Sequence, residues 1–298
     1  MDKSVLLLQA SQLEPYSNLA VESYLLENLA PYEHALYLWQ NDNTVVVGVN
    51  QNTFVEVSPS FKGYVARRLS GGGAVYHDAG NLNFTFVSAK RSYSVENNKK
   101  IILDAIKSLG FNAEFTGRND IVIDSKKISG QAYCLRQKAS YHHGTILINS
   151  NVEKIEAALV PSSNKLKSKG VASVSARVGN LIDWNSNITL SDVREALENS
   201  FKKFYSTYRV DTKTVDYNNE KIKEYSLTLS NKEWIWGKNP QLKNKITKRF
   251  ECGEVTIYYQ TKGDKAIEVE VFSDAMDTEM PKQIRERLLN TPVHEWNL

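Results

Sequence analysis

The sequence predicts an α/β (α+β) chain, with strands and helices interleaved along most of its length and a shorter strand-rich stretch after them. Three observations carry that expectation. Apolar runs of strand length recur between polar turns, as in Val5-Leu6-Leu7-Leu8 and Thr44-Val45-Val46-Val47-Gly48. Between them lie segments with apolar residues at helical spacing, such as Asn18 to Leu29 and Ser94 to Leu109. The character of the chain then changes between Gly237 and Lys245, which places a domain boundary there: residues 1–240 form a large unit and 241–298 a small one.

Taken in order, Val5 to Leu8 suits a buried strand, and the helix from Asn18 stops before Pro31. Ala35 to Trp39 and Thr44 to Gly48 read as strands joined by a tight turn, because Asn41-Asp42-Asn43 can hydrogen-bond its own backbone. Tyr64 to Leu69 is a short extended run and Leu82 to Val87 alternates like a half-buried strand. In the helix from Ser94, residues Ile101, Ile102, Ala105, Ile106 and Leu109 make the buried stripe, with Gly110 at the C-cap position. Ile121 to Ile123 and Ile128 to Gly130 flank the polar turn Asp124–Lys127, a hairpin. Gly144 to Ile148 is a further strand, Val152 to Val160 a helix ended by Pro161, and the lysine-rich Asn164–Gly170 a loop. A helix begins at Thr189-Leu190-Ser191-Asp192 and runs through Phe204. Beyond Tyr208 the chain reads as polar and irregular until Trp234-Ile235-Trp236. Phe250 to Tyr259 and Ala266 to Phe272 then alternate as a hairpin, and Ile284 to Leu289 reads as a short helix.

Composition narrows the function. The chain of 298 residues is 41% hydrophobic and 24% charged, the balance of a globular protein that can bury a core. A net charge of +3 permits an anionic ligand and is too weak for a nucleic-acid partner. With two cysteines, Cys134 and Cys252, a disulfide framework is not expected and a reducing compartment is. No run reaches membrane-spanning length, and between Lys3 and Lys62 there is no lysine or arginine, which is unlike a basic transit peptide. A cytoplasmic location is expected.

Arg67-Arg68-Leu69-Ser70-Gly71-Gly72-Gly73-Ala74-Val75-Tyr76-His77-Asp78 is the stretch that carries most chemistry. Three successive glycines weaken regular structure, so a close visitor such as an anion or an acyl chain would account for them. A glycine-rich turn with two surface arginines is the other reading. Gly117-Arg118-Asn119-Asp120, Lys126-Lys127, His142-His143-Gly144-Thr145 and Lys165–Lys169 with Ser173, Ser175 and Arg177 are further groups. Adjacent histidines on a strand point to opposite faces, so one packed histidine is expected there in place of a zinc pair. Phosphate donors outnumber acid/base carboxylates, and no Ser-His-Asp arrangement stands out. The balance points to positional and electrostatic catalysis on a phosphate-bearing species. A Walker-type loop is absent.

The run from Arg67 to Phe84 closely resembles the signature of lipoate–protein ligases. So do Gly117-Arg118-Asn119-Asp120, Lys127-Ile128-Ser129-Gly130-Gln131-Ala132, His142 to Leu147 and Lys169 to Val178, in the family's order. The resemblance implies a catalytic domain of mixed sheets flanked by helices, shared with biotin ligases and octanoyltransferases, and a small α+β accessory domain. It implies ATP and magnesium as cofactors, lipoate as substrate, lipoyl-AMP as intermediate, and a monomeric enzyme. The acceptor would be a lysine of a lipoyl carrier domain, on a 2-oxoacid dehydrogenase E2 subunit or the glycine-cleavage H protein. Carried over by position, Lys127 would be catalytic. Arg68, Gly73, Ala74, Val75, Tyr76, Asn83, Asp120, Ser173 and Arg177 would join it in holding the nucleotide. Ser70, Gly71, Gly72, His77 and His143 would hold lipoate with Arg68, Gly73 and Lys127. Asp120 would also face magnesium through the phosphates.

Two departures are visible. Gly48-Val49-Asn50-Gln51-Asn52 has valine where many relatives carry arginine, so a cation near the acyl or phosphate site is expected to be missing. The accessory domain is also expected to be short for the family. An ATP-independent octanoyl or lipoyl transferase on the same fold is the nearest rival. It would need a cysteine after the His-Gly strand, and Gly144 to Trp184 holds none. A non-catalytic carrier-binding relative is the other alternative.

Overall fold

The computed structural model describes residues 3–117, 119–160 and 177–297. Its centre is an eight-stranded mixed sheet in the order β11-β1-β2-β6-β10-β9-β8-β7. The inner strands are β1 (Ser4–Gln9), β2 (His34–Trp39), β6 (Asn81–Ala89) and β10 (Ala139–Leu147), with β9 (Lys126–Leu135), β8 (Asp120–Ile123) and β7 (Glu114–Thr116) continuing to one edge. Both faces are covered. Leu36, Leu38, Leu82, Phe84 and Phe86 pack under α3 (Val95–Ser108) and the long helix α5 (Leu190–Phe204). Ala35, Tyr37, Trp39 and Tyr141 face α1 (Pro15–Asn28) and α6 (Glu220–Leu229). Covering on both sides explains why β2 and β6 are apolar or buried at nearly every position. The half-buried strand expected at Leu82–Val87 is therefore buried on both faces.

Local signals set the helix ends. Glu14 caps α1 by accepting from the Tyr16 and Ser17 amides, with Pro15 in the first turn. Ser94 caps α3, Gly110 follows it with φ +89°, and Thr189 and Asp192 form a capping box at α5. The turn at Asp124-Ser125 has positive φ at both residues and joins β8 to β9 as a tight hairpin.

A second sheet, β4-β3-β5, lies beside the first. Here β3 (Thr44–Val47) is flanked by β4 (Tyr64–Arg67), parallel, and β5 (Val75–His77), antiparallel. The turn at Asn41–Asn43 thus joins strands of different sheets, β2 and β3, where the sequence suggested neighbours. Its consequence is functional: the glycine stretch connects β4 to β5 and must pass over the end of β3. Short α2 (Thr53–Glu56) and α4 (Val152–Ala158) accompany this sheet.

Beyond Tyr208 the structure corrects the irregular reading. β11 (Arg209–Thr214) pairs in parallel with β1 as the sheet edge, and α6 and α7 (Lys232–Trp236) follow. The edge strand has no apolar run because it is largely exposed. A third sheet, β12 (Asn244–Phe250), β13 (Gly253–Lys262) and β14 (Lys265–Ser273), is antiparallel and packs its own cluster against α8 (Met280–Leu288). The expected hairpin is β13–β14; β12 adds a strand that the basic run around Lys245–Arg249 concealed.

Arg67 ties these parts together. Buried at the end of β4, it donates to the carbonyls of Gly48, Val49 and Gln51, to the Thr53 hydroxyl, and to the carbonyls of Trp234 and Ile235 in α7. The Trp234 indole donates back to the Arg67 carbonyl at 2.9 Å. Replacing the guanidinium with an apolar side chain would strand several buried carbonyls. Arg67→Met should therefore cost at least about 3 kcal/mol in urea unfolding; a cost below about 1 kcal/mol would contradict this role.

Candidate active site

The glycine loop exists because two backbones meet. Gly48, just past β3, lies so close to the loop that a Cβ there would stand 2.2 Å from the Gly72 carbonyl oxygen. Gly72 itself has φ +85°, a conformation that favours glycine. Around them Arg68 is buried, and all three of its nitrogens are engaged: Nε to Ser70 Oγ (2.9 Å), Nη1 to the Val46 carbonyl (3.1 Å), and Nη2 to the carbonyls of Gly71 (2.6 Å) and Gly73 (2.8 Å). Burial pushes its pKa down to about 10, which leaves it charged at neutral pH. The bare-turn reading of two surface arginines fails, since Arg67 and Arg68 are both buried.

Beside the loop is a cavity of about 210 Å³. One part of its wall is apolar, made by Leu19, Trp39 and Val46. Another is cationic and rich in backbone, made by Arg68, Lys127 and the segment Gly72 to Val75. Strands β6, β9 and β10 supply the floor through Asn83, Gly130, Ala132, His143 and Thr145. Register explains the convergence: Asn83 pairs with Thr145 and with Trp39, and His143 pairs with Ala132, so all lie on one face of the sheet. Gly144 sits where any side chain would strike Phe84 and the Gly130 carbonyl.

The expected residues divide accordingly. Arg68, Gly72, Gly73, Ala74, Val75, His77, Asn83, Lys127 and His143 line the cavity. Ser70 and Asp120 stand behind it, each bonded to a lining residue. A Cβ at Gly71 would strike the Ala275 and Met276 carbonyls, and the Tyr76 hydroxyl donates to Asn43 Oδ1 at 3.0 Å; neither residue joins the wall. Arg177 is exposed, while Ser173 and the lysine-rich loop lie outside the described residues. Lys127 Nζ is 2.7 Å from Asp120 Oδ1, both partly exposed. The Lys127 backbone is held by the Gly179 amide (2.9 Å) and by a bridge to Val178. Val49 does not line the cavity; its amide donates to the Ser70 carbonyl and its own carbonyl accepts from Arg67.

The two histidines point to opposite faces as expected. His142 is buried among Phe84, Phe86 and Tyr133, and its Nε2 donates to Gln131. His143 bonds Ser70 through Nε2 (2.8 Å) and Glu22 through Nδ1 (2.7 Å). Among the described residues no group of three or more His, Cys, Asp or Glu could hold a metal ion. Sequence reasoning missed Glu22 and Met276. The signal for Glu22 was an acid on the apolar stripe of α1, between Leu19 and Leu25. Nothing in the sequence marks Met276, which reaches the cavity from the turn after β14 through the contact of Gly72 N with the Ala275 carbonyl (3.1 Å).

The family model for the lipoyl protein ligase A/B catalytic domain matches residues 14–202, and that for the bacterial lipoate protein ligase C-terminus matches residues 239–298. Lipoate-protein ligase A of Psychrobacter cryohalolentis is 38% identical, covering 95% of this chain and 87% of that protein. Its namesake from Bdellovibrio bacteriovorus is 34% identical, covering 94% and 86%. Among solved structures, P. falciparum LipL1 in complex with lipoate matches with a TM-score of 0.84 at 30% identity, over 97% of this chain and 90% of that one. A lipoate-protein ligase A bound with ATP matches with a TM-score of 0.65 at 25% identity, over 80% and 99%.

Burial pushes His77 and His142 from 6.5 to about 3 and His34 to about 4. The unfolded chain therefore takes up these protons first: stability is full above about pH 6.5 and falls as the pH drops toward the folded values. His142→Phe should remove up to about 1.4 kcal/mol per pH unit of that decline, read as the difference between urea unfolding near pH 6.5 and near pH 5. An unchanged slope would mean His142 titrates normally.

Proposed function

Because this chain belongs to the lipoyl protein ligase A/B family, we propose that it activates lipoate with ATP and transfers the lipoyl group to a lysine of lipoyl carrier domains. The observation that carries this reading is a single cavity lined both by apolar residues, Leu19, Trp39 and Val46, and by cationic ones, Arg68 and Lys127. An amphipathic acid with a carboxylate at one end matches the first. A polyphosphate matches the second.

In the first step the lipoate carboxylate oxygen attacks the α-phosphorus of ATP, the bond to the bridging oxygen breaks, and pyrophosphate leaves. Both reactants are anionic, so their approach depends on positive charge. Lys127 supplies a partly exposed ammonium, and Arg68 a guanidinium held by the loop carbonyls. The backbone from Gly73 to Val75 receives the nucleotide, with Tyr76 behind it, Asn83 and Arg177 as further donors and Asp120 as the anchor of Lys127. Ser173 is carried over from the family at a position outside the described residues. Gly71, Gly72, Ser70, His77 and His143 shape the acyl side. In the second step the neutral amine of the carrier lysine attacks the acyl carbonyl, the C–O bond to AMP breaks, and the amine loses its proton. Lys127 would then steady the charge that develops on the carbonyl oxygen.

Magnesium fits this donor set as an ion carried by the nucleotide. It keeps several waters and needs only one or two carboxylates besides phosphate, and Asp120 offers one. When bound it neutralises phosphate charge. As carriers we take the E2 subunits of 2-oxoacid dehydrogenases and the glycine-cleavage H protein, a choice supported by the archaeal ligase described together with its E2 lipoyl domain. Residues 1–240 are read as the catalytic domain and 241–298 as the accessory one, and the enzyme as a cytoplasmic monomer. Among the described residues no helix is long and apolar enough to cross a membrane.

The test combines ATP and lipoate with several apo carrier domains and records mass and pyrophosphate. A gain of one lipoyl group on a carrier is expected. Pyrophosphate release without any gain would replace this reading with an adenylating enzyme that needs a separate transferase. Lys127→Ala should lower adenylation by at least about a thousandfold while leaving carrier affinity intact; retained turnover would remove Lys127 from the chemistry. Changing both cysteines to serine should leave transfer unaltered, since Cys134 is buried with its pKa pushed up to about 11 and does not line the cavity.

A further inference from the structure

We propose that Glu22, His143 and Ser70 form a positioning relay that holds the Arg68 guanidinium, and through it the glycine loop, in the geometry that receives the nucleotide. The inference rests on the reading above that the cavity takes ATP and lipoate.

The hydrogen bonds run unbroken from Trp39 to Arg68. Its two ends, the guanidinium of Arg68 and the indole of Trp39, can only donate. Trp39 Nε1 donates to Thr85 Oγ1 (2.9 Å), so the Thr85 hydroxyl gives its proton to Glu22 Oε1 (2.6 Å). Arg68 Nε donates to Ser70 Oγ (2.9 Å), and Ser70 Oγ is in turn hydrogen-bonded to His143 Nε2 (2.8 Å). On its other side His143 Nδ1 donates to the Glu22 carboxylate oxygen Oε1 at 2.7 Å.

Burial makes the arrangement costly to disturb. Glu22 is 1% exposed, Ser70 0% and His143 6%. A carboxylate so placed is tolerated only when hydrogen-bonded, and its field also reaches the buried Arg68. The far end of the relay is where it acts. Arg68 Nη2 holds the Gly71 and Gly73 carbonyls, and the N–H of a trans peptide points opposite its C=O. Fixing the Gly73 carbonyl on Arg68 therefore turns the Ala74 amide the other way, within the segment that lines the cavity. Glu22, on α1, thus sets backbone donors that it never touches.

The test uses the full chain and begins with lipoate-dependent exchange of pyrophosphate into ATP. No exchange by the unaltered protein would sink the proposed activity itself. Given exchange, Glu22→Ala, Ser70→Ala and the double variant should each lose a similar factor, roughly 30- to 100-fold in kcat/KM for ATP, as members of one unit do. The loss should lie mainly in KM, with kcat counted per adenylate-forming site. Glu22→Gln keeps an oxygen that accepts both donors and should stay within about fivefold of the parent. Additive losses, or a fall in kcat at constant KM, would mean a packing role only. If the alanine variants do not fold, nitrogen-15 NMR of the parent protein decides: a pyrrole-like Nδ1 at His143, donating to Glu22, is expected, and a pyridine-like Nδ1 overturns the relay.

Discussion

The structure depends on burying two adjacent guanidinium groups against backbone carbonyls. Arg67 and Arg68 leave the end of β4 in different directions, as neighbouring residues of an extended strand do. Arg67 gathers the segment from Gly48 to Thr53 and the end of α7. Arg68 gathers the glycine loop. Three successive glycines have little intrinsic reason to keep one shape, and a cation bonded to their carbonyls supplies it. The loop can then stay open to a ligand on its other side. Arginine suits this work better than lysine, because its planar fork presents several donors with little orientational freedom to lose.

The same loop links the two ends of the chain. Ser273 donates its amide to the Asn50 carbonyl, Asn50 Nδ2 donates to the Thr278 carbonyl, and Gly72 donates to Ala275. The segment after β14 thus rests on the glycine loop and on the Gly48–Asn52 stretch together, and Met276 completes part of the cavity wall. Any displacement of the third sheet would open the cavity at Gly72. The conspicuous valine at position 49 is a bystander to the cavity: this stretch acts through Asn50, Gln51 and its carbonyls.

How much of this the sequence displays depends on what each residue is bonded to. Elements with strong local signals, such as the Ser94-capped helix and the Asp124-Ser125 hairpin, are legible because caps and turn residues act over a few positions. The buried strands are legible as apolar runs, although β9 and β10 extend through Ser129, Ser140 and His142, whose polarity hides them. β11 and α6 are illegible for a related reason, since they lie at the periphery and keep polar residues such as Lys213 and Lys223. Lys127 and the glycines can be found by motif. Glu22 cannot, because its partner His143 is distant in sequence and the link exists only after β10 and α1 pack together.

The central claim is that a loop fixed by Arg68 faces Lys127 across one cavity that takes acyl chain and nucleotide together. The measurement that tests it most directly is a crystal structure of the full chain with a non-hydrolysable lipoyl-adenylate analogue. The account predicts the lipoyl chain against Trp39 and Val46, the phosphate group beside the Gly73–Val75 backbone, and Lys127 turned from Asp120 onto the acyl and phosphate oxygens. An analogue bound elsewhere, or bound in the cavity with Lys127 still paired to Asp120 and the loop amides unused, would contradict it.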